Sequence, residues 1–353
     1  MKNTIAVLPG DGIGPEVVEE AVKVLKIIAK RFNHEFDFQY GLIGHQAIVK
    51  TGKPLPEETV NLIQNSSAIL FGAIGDPIYD NNPNLKVRPE QGLLEMRKVL
   101  GLYANLRPVK VYSALVDQSP LKKKIIANTD FVVVRELIGG IYFGEKGSTE
   151  NSAYDTCSYS VEEIIRVGRV AFELAVKRKN KVTLVDKANV LETSKLWRKT
   201  IQALHKDYPD VSLEMMYVDN AAMQIIRNPS QFDVILTENM FGDILTDEAS
   251  VITGSIGMLP SASIGQKTAL YEPIHGSYPQ AVGKHIANPI GAILSAALLL
   301  DISFNLKKEA KLIEKAITNV LSKGFGTCDI NSVDPVSTQE LGKLIRDEIK
   351  NFS

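Results

Sequence analysis

Cysteine is nearly absent from this chain: Cys157 and Cys328 are the only two in 353 residues, far apart and outside any C-x-x-C spacing. That excludes a disulfide framework and a thiolate metal site, and it suits a reducing compartment. A surplus of charge is missing too, since 40 basic side chains face 41 acidic ones for a formal net charge of −1. Without basic excess the chain has no general means of neutralising many phosphates, which argues against a nucleic-acid partner. Long hydrophobic runs are lacking as well. The longest uncharged apolar stretch, residues 289–300, is too short to span a bilayer, and the opening MKNTIAVLPGDGIG meets glycines before a signal-peptide core is complete. The expectation is a soluble, cytoplasmic protein with no membrane partner. At about 150 residues per domain the length allows two domains or one large one, with ample chain to bury a core.

What is present is a regular alternation. Residues 4–8 read as a short apolar strand, followed by Gly10-Asp11-Gly12-Ile13-Gly14-Pro15 and then by apolar residues at helical spacing over 17–29. Pro15 suits a first helical turn, where a missing N–H costs nothing. Further on, 125–126, 131–134, 182–185, 211–218 and 232–236 read as strands, and 161–176, 194–204, 221–227 and 240–250 as helices. This predicts an α/β fold with a largely parallel sheet. No low-complexity linker or fixed-period repeat interrupts the chain. The longest loop-like segment is 72–90, with Gly72, Gly75, Pro77, Asn81, Asn82, Pro83 and Pro89; a second glycine-rich stretch, 254–265, is a candidate crossing between domains.

The N-terminal glycine loop does not match the dinucleotide fingerprint. Its spacing is Gly10-x-Gly12-x-Gly14, Pro15 stands where the third glycine or alanine belongs, and no clear acidic residue closes a second strand about 20 residues later. A tight turn is the plainer reading. Asp243 and Asp247 carry more chemistry. On a helix, residues four apart share a face, so two unpaired carboxylates repel by roughly 0.2–0.5 kcal/mol, partly offset by the N-terminal dipole. A bound divalent cation reverses that sign, and hard oxygen ligands suit magnesium or manganese. For the pair alone, two solvated helix-start acids is the competing reading.

Other polar residues fall beside it. Lys187, Asp219 and Asp243 each follow a predicted strand, at the carboxyl ends where α/β sheets bind ligands. Arg97, Arg107 and Arg135 offer guanidinium forks that pair bidentately with carboxylates, which together with a metal site suggests a small di-acid. His275 lies in the turn-rich segment 272–277, ahead of Ala287-Asn288-Pro289 and a buried-looking helix; this is either a backbone-donor loop for a nucleotide or an ordinary loop. His34, His45, His205 and His285 show no ligand spacing, and Trp197 reads as core.

Taken in order, LPGDGIGPE (8–16), RPEQGLLEMR (88–97), ANLRP (104–108), RELIGGIYFG (135–144), DKANV (186–190), 239–247 and 272–289 resemble the isocitrate/isopropylmalate family of β-decarboxylating dehydrogenases over nearly the whole chain. The resemblance implies two α/β domains sharing a mixed sheet rather than a standard Rossmann fold. Residues 1–102 with 254–353 would carry the NAD site, and 103–253 would form a dimer interface. It further implies that Arg97, Arg107 and Arg135 hold two substrate carboxylates, with Leu93, Leu94 and Val190 as an apolar wall. Asp219, beside the substrate, would bind magnesium or manganese with Asp243 and Asp247. Lys187 and Asp219 would come from the neighbouring subunit of a homodimer with shared active sites. His275, Gly276, Ser277, Gln280, Ala287 and Asn288 would bind the adenosine half of NAD, with Gly75 and Glu90 near the nicotinamide. Lys187 would take the hydroxyl proton, through a water, and Tyr142 would deliver a proton to carbon 3.

The activity so implied is NAD- and divalent-metal-dependent oxidative decarboxylation of 3-isopropylmalate to 4-methyl-2-oxopentanoate and carbon dioxide, in leucine biosynthesis. A D-malate or tartrate dehydrogenase of the same family is the near alternative. A non-catalytic scaffold is the distant one, and would not need Lys187, Tyr142 and three aspartates intact. Gln280 stands where many NAD-using members have aspartate, so weaker exclusion of NADP is expected; Asp76 replaces a common glycine.

Overall fold

The structure is a computed structural model that describes residues 3–79 and 85–352. The chain forms two compact units, Met1–Gly101 with Ser255–Ser353, and Leu102–Gly254.

The discontinuous unit begins with β1 (Asn3–Gly10), β2 (Phe36–Tyr40) and β3 (Ala68–Ala73). The chain then passes through the middle unit as β4 (Ala104–Lys110), β5 (Asp130–Glu136), β6 (Lys146–Ser148), β7 (Ala153–Asp155), β8 (Lys181–Asp186), β9 (Ser212–Tyr217) and β10 (Val234–Thr237). It returns as β11 (Pro260–Ile264) and β12 (Ala269–Pro273).

In the discontinuous unit the strand order is β2-β1-β3-β12-β11, parallel except for the antiparallel pair β11/β12. Residues 5–8 of β1 and all of β3 are buried, the continuous apolar run expected of parallel strands covered on both faces. The helix Ile290–Ile302 is apolar nearly all round and correspondingly buried, packed between the strands and the helices Gly14–Phe32 and Lys307–Ser322. A fully buried Glu20 is held by Arg346 and ties Gly14–Phe32 to the C-terminal helix Thr338–Asn351.

The middle unit has the order β4-β5-β10-β8-β9, with β4/β5 antiparallel and the rest parallel, plus the separate hairpin β6/β7. Alternation along β5 decides what the site receives. Phe131 and Val133 face one side, in a core with Phe232, Ile235, Ala221, Ile225, Leu245 and Ala249, which brings in the helices Val218–Arg227 and Asn239–Ser250. Arg135 continues that face. Glu136 faces the other way, toward Arg166 on the helix Val161–Val176.

Several sequence expectations change. Residues 125–126 lie in the short helix Lys123–Ile126, not a strand, and Asp219 sits in the first turn of Val218–Arg227 because β9 stops at Tyr217. Parallel pairs dominate, but each unit contains one antiparallel pair of strands in its main sheet. The loop-like segment 72–90 shortens to a stretch between β3 and the helix Pro89–Leu100, interrupted by a turn at Pro77–Tyr79; Asn81, Asn82 and Pro83 lie outside the described residues. The stretch 254–265 contains β11. Among the described residues no helix is long and apolar enough to cross a membrane.

The rings of Phe131 and Phe232 meet at 5.8 Å between centroids inside the middle core, both shielded from solvent. Phe131→Ala is expected to lower the unfolding free energy by about 3–5 kcal/mol, read by urea denaturation, because the cavity adds to the lost transfer energy.

Candidate functional site

The helix Asn239–Ser250 is the base of the site. Glu238 caps it, its carboxylate accepting the N–H of Phe241 at 2.8 Å and of Met240 at 3.3 Å. Asp243 and Asp247 follow on successive turns, with side chains 38% and 68% exposed. Arg135, buried at the end of β5, donates from Nε (3.0 Å) and Nη2 (2.7 Å) to Asn239 Oδ1 and from Nη1 to Asp243 Oδ1. It lies flat against the helix only because residue 242 is glycine: a Cβ there would stand 2.6 Å from Arg135 Cγ. Arg107 on β4 donates to Asn105 Oδ1 (2.7 Å) and Thr246 Oγ1 (2.6 Å), and lies 3.6 Å from Asp247 Oδ1 and 3.9 Å from Asp243 Oδ1. The Tyr142 hydroxyl donates to Asp243 Oδ2 at 2.9 Å, and the Arg135 guanidinium lies over its ring. Partial burial, then the bond to Asp243, push the Tyr142 phenol above its ordinary range, so the phenol keeps its proton at neutral pH.

Lys187 and Asp219 form a second cluster, with Nζ 2.8 Å from Oδ1. The hydrogen bond from Lys187 holds the Asp219 carboxyl below the usual range. The loop after β8 is braced by the buried Asp186, which takes a two-point grip from Arg198 (2.9 and 2.7 Å) and the Ala188 N–H, while Ser194 Oγ accepts the Lys187 N–H. Among the described residues no three acidic, histidine or cysteine side chains converge on a metal position. Asp219 is thus not gathered with Asp243 and Asp247 inside one chain. The latter two, partly exposed oxygen donors on one helix face, fit a hard divalent cation that completes its shell elsewhere.

In the discontinuous unit, Arg97 is half-buried on Pro89–Leu100 and 3.4 Å from Glu272. Leu93 is half-buried and Leu94 is 44% exposed on the same helix; Val190, in the middle unit, is 62% exposed. Gly75, Glu90 and Ser277 meet: a Cβ on Gly75 (φ +114°) would fall 2.9 Å from Glu90 Oε1 and 3.7 Å from Ser277 Oγ. Asp11 organises this corner by accepting the N–H groups of His45 (2.9 Å), Gln46 (3.3 Å) and Gly75 (3.0 Å). The N-terminal glycine loop abuts the 275–277 segment directly. The Ile13 N–H donates to Ser277 O at 2.8 Å, and a Cβ on Gly12 would stand 1.9 Å from that oxygen.

His275 is buried with Nδ1 bonded to Gly276 O (2.9 Å), while Nε2 has no partner among the described residues. Burial holds the imidazole below its usual range, hence neutral. Asn288 bonds Asp329 Oδ2 at 3.0 Å and Ala287 is buried, whereas Gly276 and Gln280 are exposed. A buried imidazole nitrogen beside an exposed glycine is a group that could pair with a nucleotide.

Sequence reasoning passed over Asp11, Asn105, Asn239, Thr246, Glu136 and Asp329. Asn239 and Thr246 lie inside the 239–247 motif and were within reach; Asn105 stands next to Leu106-Arg107 in the 104–108 motif. Asp329 carries little local signal, since two of its partners, Ser255 and Asn288, meet it only in the fold.

The family model for isocitrate/isopropylmalate dehydrogenase matches residues 4–345. The chain is 56% identical to 3-isopropylmalate dehydrogenase of Bacillus subtilis over 357 residues, covering 99% of this chain and 97% of that one. It is 54% identical to 3-isopropylmalate dehydrogenase of Aquifex aeolicus over 358 residues, covering 99% and 98%. Among solved structures it is similar to isocitrate dehydrogenase from Methylococcus capsulatus (TM-score 0.88, 30% identity, 99% and 100% covered). It is also similar to a β-decarboxylating dehydrogenase from Thermococcus kodakarensis (TM-score 0.82, 37% identity, 99% and 96% covered). The chain belongs to the isocitrate/isopropylmalate dehydrogenase family. Its chemistry is that of a β-decarboxylating dehydrogenase.

Glu136, fully buried at the start of the turn that leads to Tyr142, has a titration of its own. Burial outweighs two backbone hydrogen bonds and Arg166, pushing its carboxyl from 4.5 to about 7. The folded state therefore holds this proton more tightly than the unfolded chain. Its contribution to stability is complete below about pH 4.5 and is lost as pH rises to about 7, a change of about 3 kcal/mol. Urea midpoints measured across that window should fall less steeply with pH in Glu136→Gln than in the wild type.

Proposed function

We propose that the chain catalyses the NAD- and divalent-metal-dependent oxidative decarboxylation of 3-isopropylmalate to 4-methyl-2-oxopentanoate and carbon dioxide, serving leucine biosynthesis. The observation that carries this reading is the convergence of Arg107, Arg135, Tyr142, Asp243 and Asp247 at one strand–helix corner of a chain from this family.

When bound, NAD accepts the hydride from carbon 2, and magnesium or manganese draws electron density from the carbon-2 oxygen. Asp243 and Asp247 would hold the cation together with Asp219 of a second copy of this chain. Arg107 and Arg135, with Arg97, take the two carboxylates of the malate portion as paired forks. Lys187, through a water, accepts the hydroxyl proton as the carbon-2 hydride departs. The ketone so formed is β to a carboxylate, which leaves as carbon dioxide. Tyr142 then gives its proton to carbon 3, a role that suits a phenol kept protonated by burial and by Asp243. His275, Gly276, Ser277, Gln280, Ala287 and Asn288 bind the adenosine half of NAD, and Gly75 and Glu90 approach the nicotinamide.

A homodimer with shared sites follows from the same reasoning. In this proposal the middle unit Leu102–Gly254 supplies Lys187 and Asp219 to a partner's site, a reading supported by their pairing with each other rather than with Asp243 and Asp247. Leu93, Leu94 and Val190 take the isopropyl branch. At roughly 0.8 kcal/mol per buried CH₂, a three-carbon branch is worth about 2 kcal/mol, whereas a charged branch loses its hydration. Gln280 accepts a ribose hydrogen bond without repelling a 2′-phosphate, so NAD is preferred to NADP by a modest factor.

NADH absorbance with magnesium should show kcat/KM highest for 3-isopropylmalate among 3-isopropylmalate, isocitrate, D-malate and tartrate; isocitrate turning over best would sink the substrate assignment. Lys187→Ala and Asp243→Ala homodimers should each be inactive. Mixed and re-paired, half the dimers are hybrids with one intact site of two, so about a quarter of wild-type activity should return. No recovery would mean that both residues serve the same chain's site.

A further inference from the structure

The turn that leads to Tyr142 is held at its start by a carboxylate to which the proposed reaction gives no part. Glu136 ends β5 on the face opposite Arg135 and is wholly shielded from solvent. Its Oε1 accepts the Ile138 N–H at 3.1 Å and its Oε2 the Gly139 N–H at 2.7 Å, so both oxygens grip the turn that leads through Gly140–Tyr142 to the phenol.

That turn is held from other sides as well. Gly139 O accepts from Asn239 Nδ2 at 3.1 Å, and the Gly140 N–H donates to Ser158 O at 3.2 Å. Gly140 has φ +71°, and a Cβ there would stand 2.2 Å from the Tyr159 hydroxyl. The turn therefore has little slack, and at its end the Tyr142 hydroxyl meets Asp243 Oδ2. An ionised carboxylate accepts at both oxygens. An amide or a protonated carboxyl presents one strong acceptor and a donor, so it cannot hold two N–H groups equally well. The charged and titratable groups facing Glu136 are Arg166, 3.5 Å from Oε1, and Glu163, both on Val161–Val176, together with Tyr159 just before that helix.

We propose that Glu136 is a positioning residue for proton delivery: its ionised carboxylate holds the 137–142 turn so that Tyr142 is aimed at carbon 3, and protonation of Glu136 releases the turn. This rests on Tyr142 being the proton donor. Burial brings the Glu136 titration to about 7, so the release falls at neutral pH rather than in acid.

The test follows NADH formation from 3-isopropylmalate with magnesium, from about pH 5.5 to about pH 9, where essential ionisations appear as limbs of the profile. Glu136→Gln should lower kcat at least about tenfold while KM for substrate and NAD stays within about twofold, the signature of a lost transition-state contribution. It should also lose the acidic limb of kcat near neutrality. In a Tyr142→Phe background Glu136→Gln should add no further loss, since the residue acts through the phenol. Arg166→Gln, at a partly exposed position outside the binding machinery, removes the neighbouring cation and should raise the midpoint of the acidic limb by about half a pH unit or more.

Tyr142→Phe with undiminished kcat would sink the proton-donor reading and this proposal with it. Tyr142→Phe impaired, but with Glu136→Gln multiplying the loss or acting on KM alone, would overturn only the role of Glu136. Should Glu136→Gln not fold, an acidic limb unmoved in Arg166→Gln decides against the proposal, and a raised limb decides for it.

Discussion

Successive residues of a strand face opposite sides of its sheet, and the chemistry of the middle unit hangs on how the end of β5 uses that constraint. Arg135 leaves the strand on the side of the helix Asn239–Ser250, and Glu136 on the side of Val161–Val176. One peptide bond therefore separates the guanidinium that seats the acidic helix from the carboxylate that seats the Tyr142 turn. Each is buried and multiply bonded, as charges removed from water must be. A register slip of one residue in β5 would exchange them, placing a carboxylate against Asp243 and an arginine beneath the turn. The antiparallel pairing of Ala104 with Glu136 through Lys110 with Asp130 sets that register and brings Arg107 to the same helix.

The corner is held by opposite charges that hold one another. Arg107 and Arg135 are neutralised by Asp243 and Asp247, and the aspartates are spared their mutual repulsion by the arginines. A cation at the aspartates and a di-acid at the arginines would replace these pairings with equivalent ones, leaving the local charge nearly unchanged. The near-zero net charge of the chain is the sum over many such local pairs, so it says nothing about the chemistry of any one corner.

Much of this was legible in the sequence, and the limits of legibility have physical causes. Strands β1, β5, β8, β9 and β10 and the helices Gly14–Phe32, Val161–Val176 and Glu192–Leu204 were visible because they are apolar-rich runs or carry a 3.6-residue period, whereas the amphipathic helices Lys307–Ser322 and Thr338–Asn351 went unread. β4 and β11 were not: Arg107 and Pro108 interrupt β4, serines interrupt β11, and such strands are held by their neighbours rather than by their own pattern; β3 is an apolar run that went unread beside the glycines of the following loop. Asp219 was placed one element early because Val218 suits either the end of a strand or the start of a helix. The arginines, the acidic helix and Tyr142 were readable as residue types in motifs. Their support was not, since Glu136 and Asp11 act through backbone N–H groups that no side-chain pattern reveals.

The N-terminal glycine loop shows why a failed motif can still be informative. Gly12 lies in the left-handed region at φ +59° and presses its Cα face onto the Ser277 carbonyl, so any side chain there would occupy the space of that peptide. In a dinucleotide fingerprint the glycines admit a phosphate. Here they admit a segment of the same chain, the one that carries His275, and Asp11 within the loop anchors Gly75 on the adjacent one. In the proposed NAD site the loop would act at one remove, by setting where two other loops lie. Spacing and residue identity at 10–15 thus answer to the packing of protein against protein, which is why they depart from a pattern evolved to pack protein against phosphate.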